Sequence, residues 1–87
     1  MSKNFANKIY KGTSKQTAAA NKNFYITAIV GTVDSANDIP TAITVAFDDL
    51  TDLVMMDHEI VSFPYPIMTS DFTPSSNTVS VVYYEGL

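Results

Sequence analysis

The chain has no cysteine, so no disulfide can staple it and no thiolate can bind metal or attack a substrate. It has a single histidine, His58, on which any nucleophilic triad would have to be built. On a strand, Asp57 and Glu59 would point to the face opposite His58, and no G-x-S-x-G turn presents a serine nucleophile. His58 therefore reads as a solvated side chain in a polar connection, and no catalytic residue is expected. Arginine is absent, which removes the preferred bidentate ligand for guanine and phosphate. No apolar run approaches the roughly 18 residues that suggest a membrane-spanning helix. Behind Lys3 and Lys8 comes the polar stretch Gly12-Thr13-Ser14-Lys15-Gln16-Thr17, which lacks the apolar centre of a secretion signal. Neither membrane contact nor Sec-type export is expected.

Positive charge is missing from most of the chain. All five lysines lie in the first 22 residues and all nine carboxylates lie from Asp34 onward, giving a net charge of −4. The two parts should attract each other, within one chain or between chains.

At 87 residues there is room for one domain, near the lower size limit for an independent core, and an apolar content of 46% argues against disorder. Residues 1–22 contain only Phe5, Ile9 and Tyr10 as large apolar groups and read as a basic N-terminal arm. Extended, it could span roughly 70 Å, more than twice the ~30 Å expected for a compact body of that size, so it could reach a neighbour.

Residues 23–87 read as a β body. Phe24-Tyr25-Ile26-Thr27-Ala28-Ile29-Val30-Gly31-Thr32-Val33 is apolar on both alternating faces, as a central strand would be. Turn formers lead to Pro40, and then Ile43, Val45 and Phe47 alternate with Ala42, Thr44 and Ala46, the period of a half-buried strand. Residues 48–56 allow a short helix capped by aspartate or a turn followed by a strand; the second is preferred. Ile60-Val61-Ser62-Phe63 reads as a strand running into Pro64-Tyr65-Pro66-Ile67-Met68, whose prolines impose an edge-like extended path. Pro74-Ser75-Ser76-Asn77 turns the chain, and Thr78 to Tyr84 puts Val79, Val81 and Tyr83 on one face. The expected fold is all-β, a small antiparallel sandwich or barrel with an extended N-terminal arm.

The densest carboxylate cluster is Asp48, Asp49 and Asp52, but the alternating acidic pattern and central glycine of a calcium loop are absent. It reads as a solvated acidic turn without metal, and as an electrostatic target for a neighbour's lysines. Nucleic acid is not an expected partner, since the acidic body repels it; only the arm could make that contact. Tyr25, Tyr65, Tyr83, Tyr84 and Phe63 raise the alternative of a carbohydrate- or receptor-binding module, although core and interface packing explains them more simply. Met55, Met56 and Met68 read as core filler or adaptable contacts.

Three segments carry a family resemblance: Lys22-Asn23-Phe24-Tyr25-Ile26-Thr27-Ala28-Ile29 after a polar lead-in, Phe63-Pro64-Tyr65-Pro66-Ile67, and the terminal Val79-Ser80-Val81-Val82-Tyr83-Tyr84-Glu85-Gly86. Their order over residues 24–86 resembles small β-sandwich proteins of tailed-phage particles, namely head-decoration, neck or tail-associated subunits. The resemblance implies a virion location, binding to neighbouring capsid, neck or tail subunits, symmetric homo-oligomers and no cofactor. The lysine arm has no counterpart in that pattern. On this expectation the contacts would be made by Phe5, Lys8, Ile9, Tyr10, Lys11 and Lys15 of the arm, by Asp48, Asp49 and Asp52, and by Tyr65. Deleting residues 1–22 would then preserve the fold and abolish assembly.

Overall fold

A computed structural model describes residues 7–34 and 36–87. Eight strands follow one another: β1 (Lys8–Tyr10), β2 (Gln16–Thr17), β3 (Asn23–Gly31), β4 (Ala42–Ala46), β5 (Leu53–Met56), β6 (Ile60–Thr69), β7 (Asp71–Pro74) and β8 (Val79–Gly86). They form two antiparallel four-stranded sheets packed on each other, ordered β1-β8-β3-β6 and β2-β7-β4-β5. Among the described residues there is no helix, and residues 48–56 make a bend followed by β5, as preferred from sequence.

The core lies between the sheets. From β3 and β8 it takes Phe24, Ile26, Ile29, Val79, Val81 and Tyr83, and from the facing sheet Ile43, Val45, Phe47, Met55 and Phe72. Alternation alone would not keep Phe24, Ile26 and Ile29 on one face. Thr27 is an extra residue against β8, where the register shifts between Ile26 and Ala28, and this bulge restores the alternation; against β6 the surplus, residues 63–66, lies on β6 instead. Phe72 sits at the centre, fully buried, with edge-to-face contacts to Phe24 and Tyr83 at 5.3 Å each and to Tyr10 at 6.0 Å.

For residues 7–22 the structure corrects the reading of an arm outside the body; residues 1–6 of the arm lie outside the described residues. Lys8–Tyr10 is the edge strand beside β8, and Gln16–Thr17 is the edge strand beside β7, so this segment closes one edge of each sheet. Two unpaired edges supplied backbone partners that composition could not reveal. Tyr10 does the anchoring: its ring packs on Phe72, and its hydroxyl accepts a hydrogen bond from the Ser14 amide at 2.9 Å. Asn21, at φ 63°, turns the chain into β3; asparagine is among the residues that tolerate this left-handed conformation. The expectation that deletion of residues 1–22 leaves the fold intact falls with the arm.

Candidate functional site

Asp48 and Asp49 of the acidic cluster are bonded within the chain. β6 and β7 follow each other with only Ser70 between them, and the chain passes there from the first sheet to the second through Thr69-Ser70-Asp71. Thr69 is buried, and its hydroxyl lies 2.7 Å from Asp49 Oδ1 and 2.9 Å from the Asp71 carbonyl. Asp49 Oδ2 also accepts from the Ser70 amide, Asp71 Oδ1 accepts from the Asp48 amide at 3.0 Å, and Lys15 Nζ reaches Asp48 Oδ2 at 2.6 Å. These residues clamp the corner, and the lysine that meets Asp48 is Lys15 of the same chain. Asp52 is exposed and outside this network.

The corner makes stability pH-dependent. Lys15 holds the Asp48 carboxyl below the usual carboxylate range, the Thr69 hydroxyl does the same for Asp49, and the Ala19 amide does so for Glu85, helped by Lys8 at 3.6 Å. A depressed folded-state pKa contributes stability that is complete above the unfolded value and lost as pH falls through the folded one. Lys15 is raised by its bond to Asp48, so its contribution is complete below the ordinary lysine value and lost only at higher pH. The thermal midpoint is therefore expected to be flat near neutrality and to fall below about pH 4. Asp48 and Asp49 are exposed and Glu85 is only partly buried, so the drop is modest; circular dichroism melts at pH 7, 4 and 3 measure it.

Of the N-terminal candidates, Phe5 lies outside the described residues. Lys8 pairs with Glu85, Tyr10 is half-buried against the core, Lys11 is exposed, and Ile9 faces outward with 69% of its surface exposed. Ile9 belongs to a larger feature that the sequence reading did not assemble.

On the outer face of the β1-β8-β3-β6 sheet, the register aligns three rows across the strands: Tyr84-Tyr25-Met68, then Ile9-Val82-Ala28-Ser62, then Ser80-Val30-Ile60. None of these residues is charged. Ile9, Ile60 and Met68 are more than half exposed, while Tyr25, Ala28, Val30, Val82 and Tyr84 are partly covered by one another. The Tyr25 and Tyr84 rings stack with centroids 5.0 Å apart, and the Tyr25 hydroxyl donates to the Leu87 carbonyl. The available signal was that β3 is apolar on both faces: in a sandwich only one face of a sheet meets the core, so the other must meet solvent or a partner.

Tyr65 is 86% exposed, in the stretch of β6 at residues 63–66 where the strand breaks register with β3. The aromatics weighed as a sugar platform are dispersed: Tyr83 is in the core, Phe63 packs against it, Tyr25 and Tyr84 stack on the outer face, and Tyr65 stands at the sheet edge. Met55 is core, and Met68 is on the open face. His58 is exposed in the β5–β6 turn. Among the described residues no group of three or more His, Asp or Glu side chains is placed to hold a metal ion.

Fold and surface together define an all-β two-sheet sandwich with one broad, uncharged, partly apolar outer face. No protein-family model matches the chain, and no curated protein or solved structure matches it either.

Proposed function

We propose that this chain is a virion structural protein of the minor capsid or head-decoration type, binding neighbouring subunits through its sheet surfaces. The observation that carries the proposal is the outer face of the β1-β8-β3-β6 sheet, where exposed Ile9, Ile60 and Met68 share one face with Tyr25, Val30, Val82 and Tyr84. The sandwich layout and the Phe63-Pro64-Tyr65-Pro66-Ile67 and Val79 to Gly86 segments support the phage-particle class. A core this small, without disulfide or metal, typically supplies only a few kcal/mol, and association adds to it. The ion pairs of Lys8 and Lys15 fall within the chain, so subunit contact is assigned to the sheet face rather than to lysine exchange.

The test is incorporation. Density-purified particles from the host that encodes this chain should contain it at a fixed ratio to the major shell protein. They should keep it through a high-salt wash, because an uncharged contact is not screened. Recovery only in the soluble fraction would overturn the proposal.

A further inference from the structure

We infer that the outer face of the β1-β8-β3-β6 sheet is a self-association surface, and that its occupant is a second copy of this chain packed face to face about a two-fold axis. The inference rests on the reading of this face as the place of assembly and names the partner.

Three observations select this occupant. The first is charge. The chain carries −4, and its nine carboxylates lie off these rows: Asp48, Asp49 and Asp71 at the corner with Asp52 beyond it, Asp57 and Glu59 in the β5–β6 turn, Asp34 and Asp38 between β3 and β4, and Glu85 of β8 in the row of core residue Phe24, paired with Lys8. A basic partner would find nothing to read on the uncharged rows, whereas two acidic copies can meet there without placing like charges opposite each other.

The second is area. The four strands have three, eight, nine and ten residues, at about 3.3 Å per residue and about 4.8 Å between strands. The flat projection is about 480 Å² per copy, and side-chain relief raises the accessible area toward the roughly 600 Å² per partner at which specific interfaces begin. The other sheet's outer face is shorter and lined mainly by Ala42, Thr44, Ala46 and Thr73, with Val54 and Met56 as its large residues.

The third is that the sheet edges are protected. Pro64 and Pro66 interrupt the β6 edge, β1 and β2 are three and two residues long, and the Met56 amide of edge strand β5 donates to the Glu59 carboxylate at 2.8 Å. Copies that associate are thereby steered from edge pairing to face packing.

A two-fold axis along the middle row puts the Tyr84-Tyr25-Met68 row of each copy over the Ser80-Val30-Ile60 row of the other. Large side chains then oppose smaller ones, as interdigitation about 10 Å apart requires, and Met68 opposes the second copy's Ile60.

Sedimentation equilibrium on the whole chain tests this with Met68→Lys, Ile60→Glu and the double variant. Both sites are exposed, so melting curves should confirm that the fold survives. The wild type should be dimeric at tens of micromolar, each single variant should dimerise at least about tenfold more weakly, and the double variant should recover through lysine-glutamate pairing between copies. The two positions lie in the outer two of the three rows, opposite Tyr25 and Val30 and about 13 Å apart, too far to pair within a copy. A monomeric wild type, single variants that dimerise normally, failure of the double variant to recover, or a ladder of head-to-tail species would each overturn the inference. A monomer that still enters particles would overturn it while leaving the proposed function standing.

Discussion

Phe72→Ala is expected to unfold most of the protein at 25 °C. Phe72 is fully buried between the sheets, and its ring touches Phe24, Tyr83 and Tyr10. Truncating such a ring typically costs about 3–5 kcal/mol, from the lost transfer of apolar surface and from the cavity left behind. A domain of this size commonly has about as much net stability in total. Tyr10 is the ring that holds the N-terminal strands to the body, so the same substitution should also loosen β1 and β2. Urea titration followed by circular dichroism measures the loss, and Phe72→Leu should recover much of it. A midpoint within about 5 °C of the wild type in a thermal melt, corresponding to roughly 1 kcal/mol, would mean that the core is centred elsewhere.

Gly31→Ala should cost nearly as much for a different reason. Gly31 ends β3 where the chain lies directly against the β5–β6 turn, and its amide donates to the Glu59 carbonyl at 2.6 Å. A Cβ there would lie 2.5 Å from the Asp57 carbonyl oxygen and 2.6 Å from that of Glu59. Both obstacles are backbone, so no side-chain rotation relieves the clash; either β3 or the turn must move. The turn is itself pinned, because buried Asp57 accepts a hydrogen bond from the Thr41 amide and donates its own amide to the Thr41 carbonyl, each at 3.0 Å. Overpacking of this kind costs about 1–3 kcal/mol, here at the upper end, and the thermal midpoint should fall by roughly 10–20 °C. Amide exchange should show protection lost first at Gly31 and Val33, whose amides donate to Glu59 and Asp57. Equal loss across all strands would point to a global effect instead.

Together these two positions show which parts of the structure were legible beforehand. Ile43, Val45 and Phe47, and Val79, Val81 and Tyr83, announced their buried face by strict alternation, which depends only on the strand period. The proline-bounded path of residues 64–66 announced an edge, because proline cannot donate to a ladder, and β6 is an edge strand. Phe72 was not singled out. Its strand has four residues, one large apolar side chain and a terminal proline read as turn, so no window around it carries a period. Lys8–Tyr10 and Gln16–Thr17 were missed for the same reason: strands of three and two residues exist because a longer strand offers an edge. Asp48 and Asp49 read as solvated because their partners, Lys15 and Thr69, are 33 and 20 residues away.

The sequence by itself determined the strand character, the split of charge between the first 22 residues and the rest, the absence of thiol chemistry, and the apolar alternation of β4 and β8. Each follows from composition or from a period of two residues, and neither needs knowledge of what lies across the sheet. Tertiary structure decided three further matters. It folded the basic segment onto the sheet edges, turned the acidic cluster into a corner clamp, and gathered Ile9, Tyr25, Val82, Tyr84, Ile60 and Met68 from four strands into one uncharged face. The physical reason is register: which residues share a row is fixed by pairings across tens of residues and by the Thr27 bulge, and no local pattern encodes either.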